Sequence, residues 1–125
     1  VYKRQTLYNA AYGPIPELQI PVVNAGLRHA WHLYVIRLDL ERLTIDRAQF
    51  IEALRAENIG TSVHFIPVHL HPYYRQTFGY KRGDLVNAER IYDRIVSLPL
   101  YPKMTEAQVS DVITAVTRIV SRERK

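Results

Sequence analysis

Three histidines, two prolines and two tyrosines fall within Gly60 to Tyr74, GTSVHFIPVHLHPYY. Neutral imidazole donates one hydrogen bond and accepts another, takes up a proton near neutral pH, and ligates metals. The segment therefore suits ligand contact, proton handling or a metal centre. It has little helical or strand periodicity after its first few residues. A stretch of that kind is a shaped loop, and shaped loops carry function more often than framework does.

A metal centre needs three converging ligands with outer support. His64 lies on an extended piece, while His69 and His71 lie beyond Pro67, so nothing in the spacing forces them together. There is no HExxH and no cysteine. The spacing favours loop or substrate-contact histidines over metal ligands. For His64 alone two readings stay level: contact with a ligand, or a strand histidine satisfied by a hydrogen bond in the core. His29 and His32 flank Trp31 and read as packing at a strand start.

Tyr73, Tyr74, Tyr80, Tyr92 and Tyr101 offer stacking surfaces. They form no RNP pattern and no helix-turn-helix, so nucleic acid is not an expected partner. The chain carries no nucleophile elbow, phosphate-binding glycine loop or dinucleotide fingerprint. Its acidic residues are scattered over helix surfaces. Taken alone, the chain holds no set of groups that would perform a reaction.

Several elements must position the histidine segment. Thr61 to Ile66 alternates as a short strand, with Val63 and Phe65 on one face and Ser62, His64 and Ile66 on the other. Before it, Arg47 to Glu57 is a helix capped by Asp46 with Gln49, its stripe formed by Ala48, Phe50, Ile51 and Leu54. Asn58 suits the left-handed position after that helix, and Ile59 the hydrophobic contact that accompanies it. Trp31 to Leu38 is the best strand, rich in aromatic and β-branched residues. Both its faces are mostly apolar, so each should be covered, the second by something outside this chain.

Thr6 to Tyr12 has Leu7, Ala10 and Ala11 at helical spacing and reads as the end of a longer helix begun upstream, within residues 1–13, stopped by Gly13 and Pro14. Val1 to Gln5 shows no pattern. Leu18 to Val23 is a short extended piece limited by Pro21. Past the histidines, His71 to Gly79 is irregular, with room for one helical turn. Asp84 caps a helix with the stripe Ala88, Ile91, Tyr92 and Ile95. Ser97 to Pro102 is extended. Thr105 with Gln108 caps the last helix, whose stripe is Val109, Val112, Ile113, Val116, Ile119 and Val120. The expected fold is α+β, a small mainly antiparallel sheet packed against about three helices. The main domain spans residues 14–120, and residues 121–125 should fray.

At 125 residues the chain has room for one core, and 47% hydrophobic with 23% charged residues is ordinary for a globular domain. No apolar run approaches the roughly 20 residues that span a bilayer. Val1 to Ala11 is polar and lacks a signal-peptide core. The sequence does not open on methionine, as expected of a piece of a longer protein. The lack of cysteine fits a cytoplasmic protein. The net charge of +5 collects near the ends, at Lys3, Arg4, Arg118, Arg122, Arg124 and Lys125, and reads as solvated termini.

Three stretches together resemble one family. RHAWHLYVIRL (Arg28 to Leu38), FIEALRAENIGTSVHFIPVHLHPYYRQTFGY (Phe50 to Tyr80) and AERIYDRIVSLPLYPKMTEAQVSDVITAV (Ala88 to Val116) resemble the C-terminal domain of the DegT/DnrJ/StrS aminotransferases. The resemblance runs from about Tyr8 to Val120. It implies a fold-type I enzyme that uses pyridoxal phosphate to move an amino group, from glutamate, onto a nucleotide-linked keto sugar. It implies a missing N-terminal domain that holds the cofactor and its Schiff-base lysine, a role for none of Lys3, Lys81, Lys103 or Lys125. It implies a homodimer with active sites at the subunit interface. By the same resemblance His64, Phe65 and, more weakly, His69 contact substrate, while Tyr73 and Tyr74 shape the loop. A non-catalytic sensor or regulator built on the same fold is the alternative.

Overall fold

Helix α5 (Glu106–Arg122) is the element around which the core is built. In the computed structural model, which describes residues 2–125, it starts with the expected reciprocal cap. The Thr105 hydroxyl accepts from the Gln108 amide, and the Gln108 side chain accepts from the Thr105 amide. Val109, Val112, Ala115, Val116, Ile119 and Val120 are its buried stripe. Ile113, expected in that stripe, is only partly buried at its border.

Helices α1 (Tyr2–Tyr12) and α2 (Arg47–Ala56) pack on α5. Both ends of α2 match expectation. Asp46 and Gln49 form the capping box, and Asn58 takes a left-handed φ of 60° while the Ile59 amide bonds back to the Leu54 carbonyl. Phe50 and Leu54 are buried, but Ala48 faces solvent. In α1 the helix includes Tyr2 to Gln5, for which the sequence shows no pattern. Its inward residues are Tyr8 and Tyr12, one turn apart, rather than Leu7 and Ala10. A tyrosine buries a large apolar ring and keeps a polar tip, so two of them outweigh small alanines as the packing face.

Three strands form one antiparallel sheet in the order β1 (Leu18–Gln19), β2 (Tyr34–Leu38), β3 (Ile95–Leu98). Leu18 pairs with Leu38, Ile36 with Val96, and Tyr34 with Leu98. These residues share the face turned to α1, α2 and α5 and are all buried. The other face carries Gln19, Val35, Arg37, Ile95 and Ser97, since side chains alternate along a strand. The fold class is thus the expected α+β with an antiparallel sheet, although five α-helices are described rather than about three.

Four elements differ from the sequence reading. The second strand starts at Tyr34, because Trp31 adopts a left-handed φ of 52° and turns its indole into the core. Thr61 to Ile66 makes no strand; only Ser62 bridges, to Ser97. Alternation there reports an extended chain, and a strand also needs a neighbour with free backbone groups. Irregular His71 to Gly79 contains helix α3 (Pro72–Phe78), with Pro72 in its first turn and Gly79 left-handed after it. Helix α4 (Val86–Tyr92) follows Leu85, not Asp84, whose carboxylate instead accepts from the Lys81 amide; Ile95 has passed into β3.

The tail at residues 121–125 does not fray. The Thr44 amide donates to the Glu123 carbonyl and the Lys125 amide to the Arg42 carbonyl, and Arg124 bridges to Leu43. The Arg124 guanidinium also meets the buried Glu17 carboxylate at 2.6 and 3.1 Å. That hydrogen bond holds Glu17 below the usual carboxylate range, against the opposing effect of burial.

Tyr8, Tyr12, Tyr34 and Trp31 form one aromatic cluster between α1 and the sheet. Burial pushes all three phenols far above their usual titration range. Their hydroxyls differ. Tyr8 donates to the Pro99 carbonyl at 2.8 Å and Tyr34 to Asn9 Oδ1 at 2.7 Å, but the buried Tyr12 hydroxyl has no partner among the described residues. Tyr34→Phe should cost about 1 kcal/mol, while Tyr12→Phe should be neutral or stabilising. Hydrogen exchange of the α1 amides in the full-length protein reads the difference; equal losses would contradict it.

Candidate functional site

Residues 61–67 form a tongue that leaves the sheet edge after one bridge. Ser62 and Ser97 exchange backbone hydrogen bonds at 3.2 and 2.8 Å, and nothing beyond them pairs. Phe65, Ile66 and Val68 are exposed, Phe65 at 74%. The His64–Phe65 peptide is cis.

His64 is half-buried and stands over β3. Its Nδ1 lies 2.8 Å from Ser97 Oγ, and its ring meets the Phe65 ring edge-on. Ser97 itself is buried. One nitrogen of the imidazole is thereby fixed, while Nε2 has no partner among the described residues. The hydrogen bond expected of a strand histidine is present, although the ring is half-buried rather than in the core.

His69 is placed differently. It sits in a 3-10 turn, Val68–Leu70, and is 3% exposed, so it does not reach outward beside His64. Its Nε2 lies 2.8 Å from the Glu89 carboxylate on α4. Glu89 also accepts from the Gly83 amide at 2.9 Å and the Leu85 amide at 3.3 Å. The His69 hydrogen bond, helped by those amides, holds the Glu89 carboxyl below the usual carboxylate range although burial opposes it. The pair fastens the tongue's root to α4 and to the 81–85 turn. Sequence reasoning missed Glu89 because a carboxylate amid an apolar stripe normally marks the solvent face. Here the stripe is inverted: Val86, Ile91 and Ala88 face out and Glu89 faces in.

Beside the tongue, exposed aromatic rings run in a chain of contacts from Tyr80 through Phe78 to Tyr74 and Tyr73. Val68, Leu85, Val86 and Ile91 are exposed as well. Exposed apolar side chains thus lie on the tongue, α3 and α4, and also at Val22 and Leu27 between β1 and β2, while β3 is buried on both faces. No three groups able to hold a metal converge among the described residues. No helix is long and apolar enough to cross a membrane.

All four lysines are exposed, Lys3 beside Glu106 and Lys125 against the Leu40 carbonyl. A Schiff-base lysine depends on a desolvated or cationic setting that lowers its pKa. None of the four lies in such a setting among the described residues.

Comparison with known proteins agrees with this picture of a part. The model of the DegT/DnrJ/EryC1/StrS aminotransferase family matches residues 2–117. The chain is 54% identical over 114 residues to the spore coat polysaccharide biosynthesis protein SpsC of Bacillus subtilis, covering 90% of this chain and 29% of SpsC. It is 53% identical over 118 residues to an uncharacterised protein of Methanocaldococcus jannaschii, covering 94% of this chain and 31% of that protein. Among solved structures, S. venezuelae DesV, in complex with a ketimine intermediate, superposes with a TM-score of 0.85 at 28% identity, over 97% of this chain and 31% of DesV. The chain thus spans under a third of the length of each. By the match across nearly all its residues, the chain belongs to the DegT/DnrJ/EryC1/StrS aminotransferase family.

Proposed function

We propose that the chain is the C-terminal domain of a pyridoxal-phosphate-dependent aminotransferase that moves an amino group from glutamate to a nucleotide-linked keto sugar. The observation that carries this is His64: an imidazole fixed at one nitrogen and free at the other, on an exposed tongue, in a chain of this family. Members of the family are pyridoxal-phosphate-dependent sugar aminotransferases. The cofactor supplies the electron sink, and the protein supplies binding, orientation and electrostatics. The lysines here do not fit the cofactor, so it and its lysine belong to an N-terminal domain.

This chain's own part is to shape the substrate side of the site. His64 Nε2 hydrogen-bonds a polar group of the substrate, while the Ser97 contact keeps the ring from turning. Phe65 covers the substrate and excludes water. His69 serves from behind, as the post to which the tongue is tied. The apolar surface on α3 and α4 meets the N-terminal domain or the second subunit of a homodimer. The expected setting is the cytoplasm, in the assembly of a polysaccharide.

His64→Asn in the full-length protein should lower kcat/KM for the keto sugar by about 10- to 100-fold, the loss of one hydrogen bond to a polar or charged group. The melting temperature should stay within a degree or two of the wild type's. Unchanged turnover would remove His64 from the site, and an unfolded variant would make it a core residue. A full-length sequence without a lysine in the cofactor position would favour the sensor reading.

A further inference from the structure

The cations counted at the chain ends are already engaged. Lys3 pairs with Glu106, Arg118 with Glu57, Arg122 with Glu123 and Arg124 with Glu17. Arg4 donates to the Met104 carbonyl. The uncompensated charge lies elsewhere. Among the described residues Arg37, Arg75, Arg90, Lys81 and Lys103 have no ion pair and no hydrogen bond from the side chain, and Arg37 and Arg90 of these line one groove.

That groove is a cavity of about 490 Å³ between the β1–β2 edge of the sheet and α4. Arg37 enters it from the sheet, Arg90 from α4 and Arg94 from just beyond α4. Pro16 and Ile91 give it apolar walls, and Asn87 and Gln19 add amides. Arg37 is half-buried, so its guanidinium has lost part of its hydration without gaining a carboxylate. The acidic residue in the lining, Asp39, is already held by Arg42 Nε and the Glu41 amide, each at 3.2 Å. Arg94 faces only Glu41, at 3.8 Å, and Glu41 is 86% exposed. A loose exposed pair of that kind is easily displaced.

We propose that this groove is a binding site for a phosphate-bearing anion, held by Arg37, Arg90 and Arg94. Three guanidinium groups from two elements exceed what one carboxylate would need. They suit a phosphate or diphosphate, which takes parallel N–H donors from arginine. The volume is that of a small-molecule site. The groove shares none of its lining with the tongue, although it occupies the same sheet face: Arg37 lies two residues along β2 from Val35, the partner of Ser97. Its phosphate has two sources, the diphosphate of a nucleotide-linked substrate or a free inorganic anion. Only the first rests on the function proposed above.

The test is calorimetric titration of the full-length protein with inorganic pyrophosphate. Arg37→Gln and Arg90→Gln should each weaken binding by about tenfold or more. Arg75→Gln, which removes an equally unpartnered arginine outside the groove, should leave it unchanged. Circular dichroism melts of the three variants should match the wild type. No binding by the wild type, or equal loss in Arg75→Gln, would overturn the site. Uridine diphosphate is the second probe. Displacement of pyrophosphate points to the nucleotide as the source, and pyrophosphate binding without displacement points to a free anion. Neither readout requires amino transfer, so failure of the proposed reaction and failure of the groove are told apart.

Discussion

Alanine in place of Phe50 destabilises the domain by about 3–5 kcal/mol. Phe50 is fully buried in the first turns of α2, where that helix packs on α5 and β3. Its removal takes a whole aromatic ring from the core and leaves a void that neighbours on two other elements cannot fill without moving. The capping box beside it stays intact, so the helix itself is not the weak point. The loss should appear as faster exchange of the buried α5 amides in the full-length protein. Phe50→Leu, which keeps most of the volume, should cost well under half as much. Equal effects of the two would show that the site collapses freely and that α2 is not held by this ring.

The second large effect is expected at Glu89, a residue that touches no substrate in the proposed function. Glu89→Gln replaces a carboxylate that accepts from His69 and from the amides of Gly83 and Leu85 with a group that accepts at one atom only. The root of the tongue then loosens, and His64 and Phe65 lose their position though both are intact. Misplacement of about 1 Å at a reacting site costs on the order of a hundredfold in rate. The loss should fall in kcat, with amino transfer by the full-length protein as the measure. The pH dependence separates this from a general structural defect. The folded carboxyl of Glu89 titrates below its unfolded value, so its stabilising contribution is complete above the ordinary carboxylate range. It is lost as pH falls from that range through the depressed folded value. The Gln variant should be less stable at neutral pH and should lack this part of the acid sensitivity. An unchanged acid-unfolding profile would mean that the carboxylate carries no such role.

Much of the frame was legible because its signals are local. Asp46 with Gln49 and Thr105 with Gln108 mark helix starts within four residues, and Asn58 marks a stop. The α5 stripe needs nothing but its own period. What escaped depends on partners far along the chain. Whether Thr61 to Ile66 pairs as a strand is decided by how much of β3's edge is free, and only Ser62 finds a place there. Arg124 looked like a solvated terminal charge because its partner, Glu17, lies 107 positions away. Tyr8 and Tyr12 face inward in place of Leu7 because the Tyr34 ring on β2 meets both of them.

The site divides along the same line. Phe65 is exposed and His64 half-buried on the tongue. His69 is buried, since one imidazole on the same loop was turned inward by a carboxylate on α4. Spacing alone does not separate two histidines five residues apart when the chain between them reverses at a proline.

The tongue is gripped at both roots, by the Ser62–Ser97 bonds on one side and by His69 and Glu89 on the other. A recognition segment arranged in advance has little order left to acquire when its target arrives. Under the function proposed above, encounter rates should then differ little between related sugars, with discrimination resting on how long each one stays.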